Sequence, residues 1–360
     1  MKIALILGTR PEIIKMSPLV RACEKHAIDY FILHTGQHYN HEMDQQFFDD
    51  LELPKPRYNL NIGSKPYHEQ IATMIQKISA ILIKEKPVAV VVQGDTNTVL
   101  SGALAANKLG MMVVHHEAGL RSYDLKMLEE INRTLTDHIS DYLCTPTKET
   151  AKHLREEGIA KEKIFLSGNT IVDAVKQNLQ LAAKKSTILK RFKLEPKKYI
   201  IATAHRAENV DDPERLNKVL RGLELVAAST ELPVIYPIHP RTQKNIKKFK
   251  LTVPVGATIV APLGYLDFLL LEANAALIIT DSGGMQEEAC ILRVPCVTIR
   301  DTTERPETLH LGINILAGVE PEQIQKAVEK MLRFKKTKWI NPFGRGDAGE
   351  KIIQYIKRCI

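Results

Sequence analysis

Short apolar runs alternate along this chain with amphipathic stretches, and polar turns divide them. Residues 2–7, 30–35, 88–93 and 111–115 each have the length and composition of one strand. Between most of them, stretches such as 17–25 and 68–84 repeat apolar positions at helical spacing. This alternation predicts a mostly parallel sheet covered by helices on both faces. The first series ends around 164–171 (IFLSGNTI), and a lysine-rich helical stretch runs on to Leu194. A second series follows, with strands expected at 199–203, 234–236, 258–260, 277–280 and 294–299. The pattern implies an α/β protein of two doubly wound domains of similar size, over 1–170 and 171–347. A terminal helix over 348–360 is placed to cross back to the first domain.

In open parallel sheets ligands bind beyond the carboxyl ends of the strands, so the residues after each strand are the candidates. The most informative stretch is 277–288, LIITDSGGMQEE. A buried strand runs into Ser282-Gly283-Gly284 and then a helix, which turns backbone N–H groups outward at a positive dipole end. Such a turn suits phosphate, with glycine allowing close approach and a positive φ if the turn needs one. The loop 300–307 (RDTTERPE) carries two arginines to the same sheet edge and points to a diphosphate. After the first strand stand Arg10 and Lys15, cations near a helix start that gain nothing from its dipole and so favour an anionic partner. Asp95 follows the 88–93 strand, Glu117 the 111–115 strand, and Glu129 and Glu130 lie just beyond. Glu129 and Arg133 are spaced i,i+4 and can pair on a helix. Several carboxylates at one edge are costly unless they exchange protons or face cations. His205 follows the strand at 199–203, and Leu263 and Phe268 offer backbone and aromatic groups for a base.

Composition narrows the classes. A chain of 360 residues with 44% hydrophobic and 26% charged residues is that of a globular protein with room for two cores. No run of eighteen apolar residues exists, so no membrane span is expected, and the apolar N-terminal run leads straight into a strand–helix pattern rather than a cleavage site. Five scattered cysteines without CxxC spacing suit a reducing cytoplasm and no zinc site. His34, His38 and His41 have metal-like spacing, but a strand end and loop do not hold them on one helical face, and no metal is expected. The first turn is not GxGxxG, so no nicotinamide cofactor is expected. The net charge of +8 is spread over helix faces without interleaved aromatics, which argues against nucleic acid and fits an anionic small molecule.

Taken together, GTRPEIIKMSPL, QGDTNT, HHEAGLRS, EEINR, GNTIVD, AHRAEN, TDSGGMQEE and RDTTERPE resemble the non-hydrolysing UDP-N-acetylglucosamine 2-epimerases, in order and spacing over nearly the whole chain. The resemblance implies a GT-B-like arrangement, two Rossmann-like domains facing a cleft, and a homodimer acting on a UDP-sugar without cofactor. It implies elimination of UDP across C1 and C2 to a 2-acetamidoglucal and re-addition to the other face, giving UDP-N-acetylmannosamine for polysaccharide synthesis. By motif position, Asp95, Glu117 and Glu129 form the acid–base set, with His205 beside the diphosphate. Arg10, Lys15, Arg133, Ser282, Gly283, Gly284 and Arg305 fall on the substrate, Glu288 on the ribose, and Leu263 and Phe268 on uracil. Lys126-Met127-Leu128 replaces a Pro-aromatic-Pro segment of many bacterial members. Some of those members bind a second substrate molecule as activator; Gln37, His38 and His239 fall at that position, but HYNHEMDQQ departs from their pattern. The alternatives are a hydrolysing epimerase releasing N-acetylmannosamine, a 2-epimerase of a UDP-diacetamido sugar, and a GT-B glycosyltransferase.

Overall fold

The apolar runs of the first half form seven parallel strands: β1 (Lys2–Leu7), β2 (Asp29–His34), β3 (Tyr58–Asn59), β4 (Ala89–Gln93), β5 (Met112–His116), β6 (Tyr142–Thr145) and β7 (Ile164–Leu166). Their order in the sheet is β3-β2-β1-β4-β5-β6-β7. The central strands are buried on both faces, and Val90, Val91 and Val92 are fully enclosed, as expected where helices cover both sides. The computed structural model describes residues 1–37, 41–334 and 339–360, with the side chains of all but 41–44. The second half repeats the design with β8 (Ile200–Thr203), β9 (Val234–Pro237), β10 (Ala257–Val260), β11 (Leu277–Thr280), β12 (Cys296–Thr298) and β13 (Asn314–Leu316), ordered β10-β9-β8-β11-β12-β13. Two compact units result, one of Met1–Lys176 with Phe343–Ile360, the other Gln177–Pro342.

Both sheets reverse their order beside the first strand, between β1 and β4 and between β8 and β11. These are the switch points at which doubly wound sheets leave a crevice for ligand. The fold class matches the hydrophobic pattern. Four short strands, β3, β6, β7 and β13, carried no distinct period and are defined by pairing to their neighbours.

The helix expected to start near Arg10 and Pro11 runs from Arg10 to Lys25, takes in the amphipathic stretch 17–25 and carries Pro18 inside it. Its start is set by a capping box between Thr9 and Glu12, with Pro11 in the first turn, where a missing N–H costs nothing. The terminal helix Ala348–Cys359 packs on this helix within the first unit. A Cβ at Gly349 would lie 2.9 Å from Pro18 backbone atoms, so glycine permits the contact. Asp173 accepts from the N–H groups of Ala348 and Gly349 at 3.2 and 3.0 Å, and Glu350 meets Lys25 at 2.6 Å.

Candidate active site

In the first unit the carboxyl ends of β1, β4 and β5 gather the predicted cations and acids. Gly8 lets β1 end tightly, since a Cβ there would fall 2.0 Å from Thr35 Oγ1 and 2.3 Å from Thr98 Oγ1. Lys15, one turn into the following helix, places Nζ 2.6 and 2.7 Å from the two oxygens of Glu117. Gln93, the last residue of β4, also donates to Glu117. Glu117 is 4% exposed and holds φ at +67°, a left-handed conformation that costs a non-glycine residue about 1 kcal/mol or more. Strain of this kind collects at functional sites because the surroundings over-determine one geometry.

Asp95, beyond β4, pairs with Arg133 through Nη2 and through Nε at 3.2 Å. Arg133 also meets Glu130 at 2.5 Å, three residues earlier on the helix Leu128–Ile139. The i,i+4 pairing of Glu129 with Arg133 is therefore corrected: Arg133 turns inward to Asp95 and Glu130, and Glu129 stays exposed. Burial alone would raise the Glu130 carboxyl. The backbone N–H groups of Ser122 and Tyr123 and the Arg133 charge outweigh it and lower the pKa.

Beneath these turns lies a charged network that the sequence reading missed. His115 places Nδ1 2.7 Å from Asp137 and Nε2 2.8 Å from the Gly94 carbonyl. Asp137 also accepts from the Gly119 N–H at 3.1 Å and lies 2.8 Å from Arg121, which forks onto Glu157 with two contacts of 2.6 Å. Burial opposes the charge on Asp137, but His115 and Arg121 win and lower its pKa. This network ties the turn bearing Asp95 to the turn bearing Glu117. Its members lie far apart in sequence, so no local pattern announced them. Arg10 stacks its guanidinium over Phe47 at 5.4 Å.

In the second unit the anchor is Asp281, fully buried just after β11. It accepts from the backbone N–H groups of His205 and Arg206 at 2.9 Å and meets His205 Nδ1 at 3.1 Å. Burial would raise its pKa, but the His205 hydrogen bond and charge and the backbone donors lower it. An ionised carboxylate at Nδ1 fixes that nitrogen as donor and leaves Nε2 of the half-exposed ring for chemistry. The signal for Asp281 was present in TDSGG, as an acid directly at a strand end. His239 stacks obliquely 5.7 Å from His205.

Ser282 caps the helix Gly283–Leu292 by accepting from Met285 N–H at 3.5 Å. Gly283 and Gly284 are its first two residues and do not need positive φ, which corrects one reason for glycine here. A Cβ at either would have no protein atom nearer than 3.8 Å. Packing within the protein therefore does not demand glycine at either position. The arginines of 300–307 are not free charges: Arg305 meets Glu287 at 2.7 Å, and Arg300 meets Glu208 at 2.7 Å and Glu304 at 2.8 Å. Burial would raise Glu304, yet Arg300 and Arg206 bring it down to about 2.

Leu263 and Phe268 sit half-buried against the core around Tyr199, Ile201 and Leu271. Glu288 is 9% exposed, and Glu272 on the neighbouring helix Tyr265–Asn274 is fully buried with no partner for either oxygen. Among the described residues no group of three His, Cys, Asp or Glu side chains is placed to hold a metal. His38 and the side chain of His41 lie outside the described residues. No described helix is long and apolar enough to cross a membrane.

Comparison with known proteins places the chain in one family. The family described as UDP-N-acetylglucosamine 2-epimerase matches residues 21–357. A UDP-N-acetylglucosamine 2-epimerase of Methanocaldococcus jannaschii is 54% identical over 99% of both chains. One of Methanococcus maripaludis is 53% identical, covering 99% of this chain and 98% of its own. A crystal structure of the M. jannaschii UDP-GlcNAc 2-epimerase in complex with UDP-GlcNAc and UDP superposes with a TM-score of 0.91, at 54% identity over 99% of this chain and all of that one.

Proposed function

The chain belongs to the UDP-N-acetylglucosamine 2-epimerase family, and from that premise we propose that it interconverts UDP-N-acetylglucosamine and UDP-N-acetylmannosamine by inverting C2. A carboxylate takes the C2 proton, the C2–H electrons form the C1=C2 bond, and the C1–O bond breaks with UDP leaving. The glucal stays bound. A proton then reaches the opposite face of C2 while a UDP oxygen adds back to C1, so no atom is gained or lost. The second unit binds the nucleotide: the N–H groups of Gly283 and Gly284 and the Ser282 hydroxyl take the diphosphate, with Arg305 beside them. Glu288 takes the ribose, and Leu263 and Phe268 take the base. His205, held through Nδ1 by Asp281, stands beside the diphosphate, where charge grows on the departing UDP. In the first unit Arg10, Lys15 and Arg133 hold the acid–base groups and the sugar side of the substrate.

The observation that carries this reading is the pair Asp95 and Glu117. They stand at the ends of neighbouring strands, each against a cation, with Glu117 held in a strained backbone. Two cation-backed carboxylates suit a reaction that removes a proton and returns one. Glu129 joins the set by motif position. The test is proton NMR in D2O with UDP-N-acetylglucosamine and no metal, cofactor or acceptor. UDP-N-acetylmannosamine carrying deuterium at C2 supports the reading; free N-acetylmannosamine, or substrate that binds without turnover, sinks it.

A homodimer fits the surface. Leu128, Ile131 and Leu135 lie on one helix, all exposed at helical spacing, an apolar stripe that a second copy would cover. Sedimentation of the wild type and of Leu135→Glu checks this, with a monomeric wild type as the contrary result. Five unpaired cysteines suit a cytoplasmic location, which cell fractionation tests.

A further inference from the structure

Glu12 is 2% exposed in the first turn of the helix Arg10–Lys25. Its Oε2 accepts from the Gly8 N–H at 2.5 Å and the Thr9 N–H at 3.0 Å, and its Oε1 meets Thr96 Oγ1 at 2.5 Å. Capping its own helix explains the Thr9 contact alone. The reach to Thr96 crosses from the turn after β1 to the turn after β4, and Thr96 is the residue next to Asp95 and the N-cap of the helix Asn97–Lys108. One carboxyl thus joins the turn bearing Arg10 to the turn bearing Asp95.

We propose that Glu12 is a proton-linked positioning residue for Asp95, so that turnover depends on the ionisation of a group that does not touch the sugar. The hydrogen bonds survive a change of charge. Ionised, Glu12 accepts from all three donors. Protonated, it keeps Gly8 and Thr9 on Oε2 while its O–H donates to Thr96 Oγ1, whose own hydrogen turns elsewhere. Geometry is then held in both states, but the charge beside Asp95 changes by one. Among the described residues Asp95 is the titratable group whose charge acts on Glu12; Lys15, one turn on, is occupied by Glu117. Burial raises the Glu12 carboxyl to about 7 against the pull of its three hydrogen bonds, and Asp95 adds to the rise.

The proposal rests on the epimerase reading, and its test separates the two. The quantities are kcat and KM for UDP-N-acetylglucosamine from acid to alkaline pH, UDP affinity, and melting temperature against pH, for wild type, Glu12→Gln and Glu12→Ala. Gln places its carbonyl on Gly8 and Thr9 and its amide N–H on Thr96, and so mimics the protonated form. The expected result is a wild-type kcat step near pH 7 that Glu12→Gln lacks, with UDP affinity within about threefold of wild type and the difference carried by kcat. Glu12→Ala loses the tie itself and falls at least about tenfold below Glu12→Gln in kcat. A Glu12→Gln profile that keeps the step, or one that loses kcat and UDP affinity alike, overturns the proposal. A wild type that binds UDP without turning over the sugar overturns the epimerase reading. In that case the proton linkage is judged from melting temperatures, and superimposable pH curves for wild type and Glu12→Gln reject it.

Discussion

Lys15 and Glu117 form a largely enclosed ion pair of the candidate site, with side chains 14% and 3% exposed. Removing one partner leaves the other as an uncompensated buried charge, which costs about 3–5 kcal/mol, far more than a surface pair is worth. Lys15→Met is expected to lower the melting temperature markedly and to abolish turnover, and Glu117→Gln to keep more stability while losing about 100-fold or more in kcat. Calorimetry beside the NMR assay distinguishes them. Glu272 bears the opposite stress: burial, and then the charge of Glu288, push its pKa well above the usual glutamate value of 4.5. The folded protein therefore holds a proton that the unfolded chain releases. Stability from this group is full below pH 4.5 and is lost as pH rises toward the folded value. Glu272→Gln removes that dependence, so its melting temperature is expected to fall less than wild type's between pH 5 and pH 8, by a few degrees. Parallel curves for the two proteins would reject the assignment.

At the scale of elements, two glycine positions with opposite surroundings separate folding from binding. Gly349 starts the terminal helix against Pro18 backbone, where an added methyl has 2.9 Å and no flexible neighbour to displace. Gly349→Ala is expected to cost about 1–3 kcal/mol, visible as earlier loss of the terminal helix in hydrogen exchange. Gly283 opens the helix after β11 with no protein atom within 3.8 Å of the same methyl. Gly283→Ala is expected to leave the melting temperature within about a degree or two, since the helix tolerates alanine. UDP affinity should nevertheless fall about tenfold or more, because phosphate must approach the N–H groups closely. Equal UDP affinity in Gly283→Ala, measured calorimetrically, would remove that turn from the nucleotide site. The helix Arg10–Lys25 shows how local signals compete. Pro18 would ordinarily kink or break a helix, yet the Thr9–Glu12 capping box and Pro11 set the start at Arg10, and the helix carries Pro18 in its interior.

At the scale of the whole molecule, two parallel sheets share the same switch-point topology. In the function we propose, nucleotide recognition falls to the unit with Asp281, Ser282 and Glu288, and proton transfer to the unit with Asp95 and Glu117. If the functions divide in this way, acid–base and nucleotide variants should fail differently. Asp95→Asn is expected to retain UDP affinity within a few-fold while losing about 100-fold or more in kcat, whereas Glu288→Gln is expected to raise KM and weaken UDP binding. Titration calorimetry with UDP beside steady-state kinetics reads both.

The sequence by itself determined the α/β class, most of the long strands and the residues at their carboxyl ends, because hydrophobic period and turn chemistry act over a few positions. The turn TDSGG and the eight ordered motifs belong to that local information, and the family match agrees with the motifs. Tertiary structure decided the partnerships. Arg133 has Glu129 four residues away on its own helix, yet it turns to Asp95, 38 residues away, because parallel winding brings that turn over the buried face of the helix. Lys15 reaches Glu117 across 102 residues for the same reason. Short strands such as β3 and β13 exist through their neighbours' hydrogen bonds rather than any pattern of their own. Charge pairing, burial and proton affinity depend on what packing places nearby, and in a doubly wound sheet those neighbours come from distant turns of the chain.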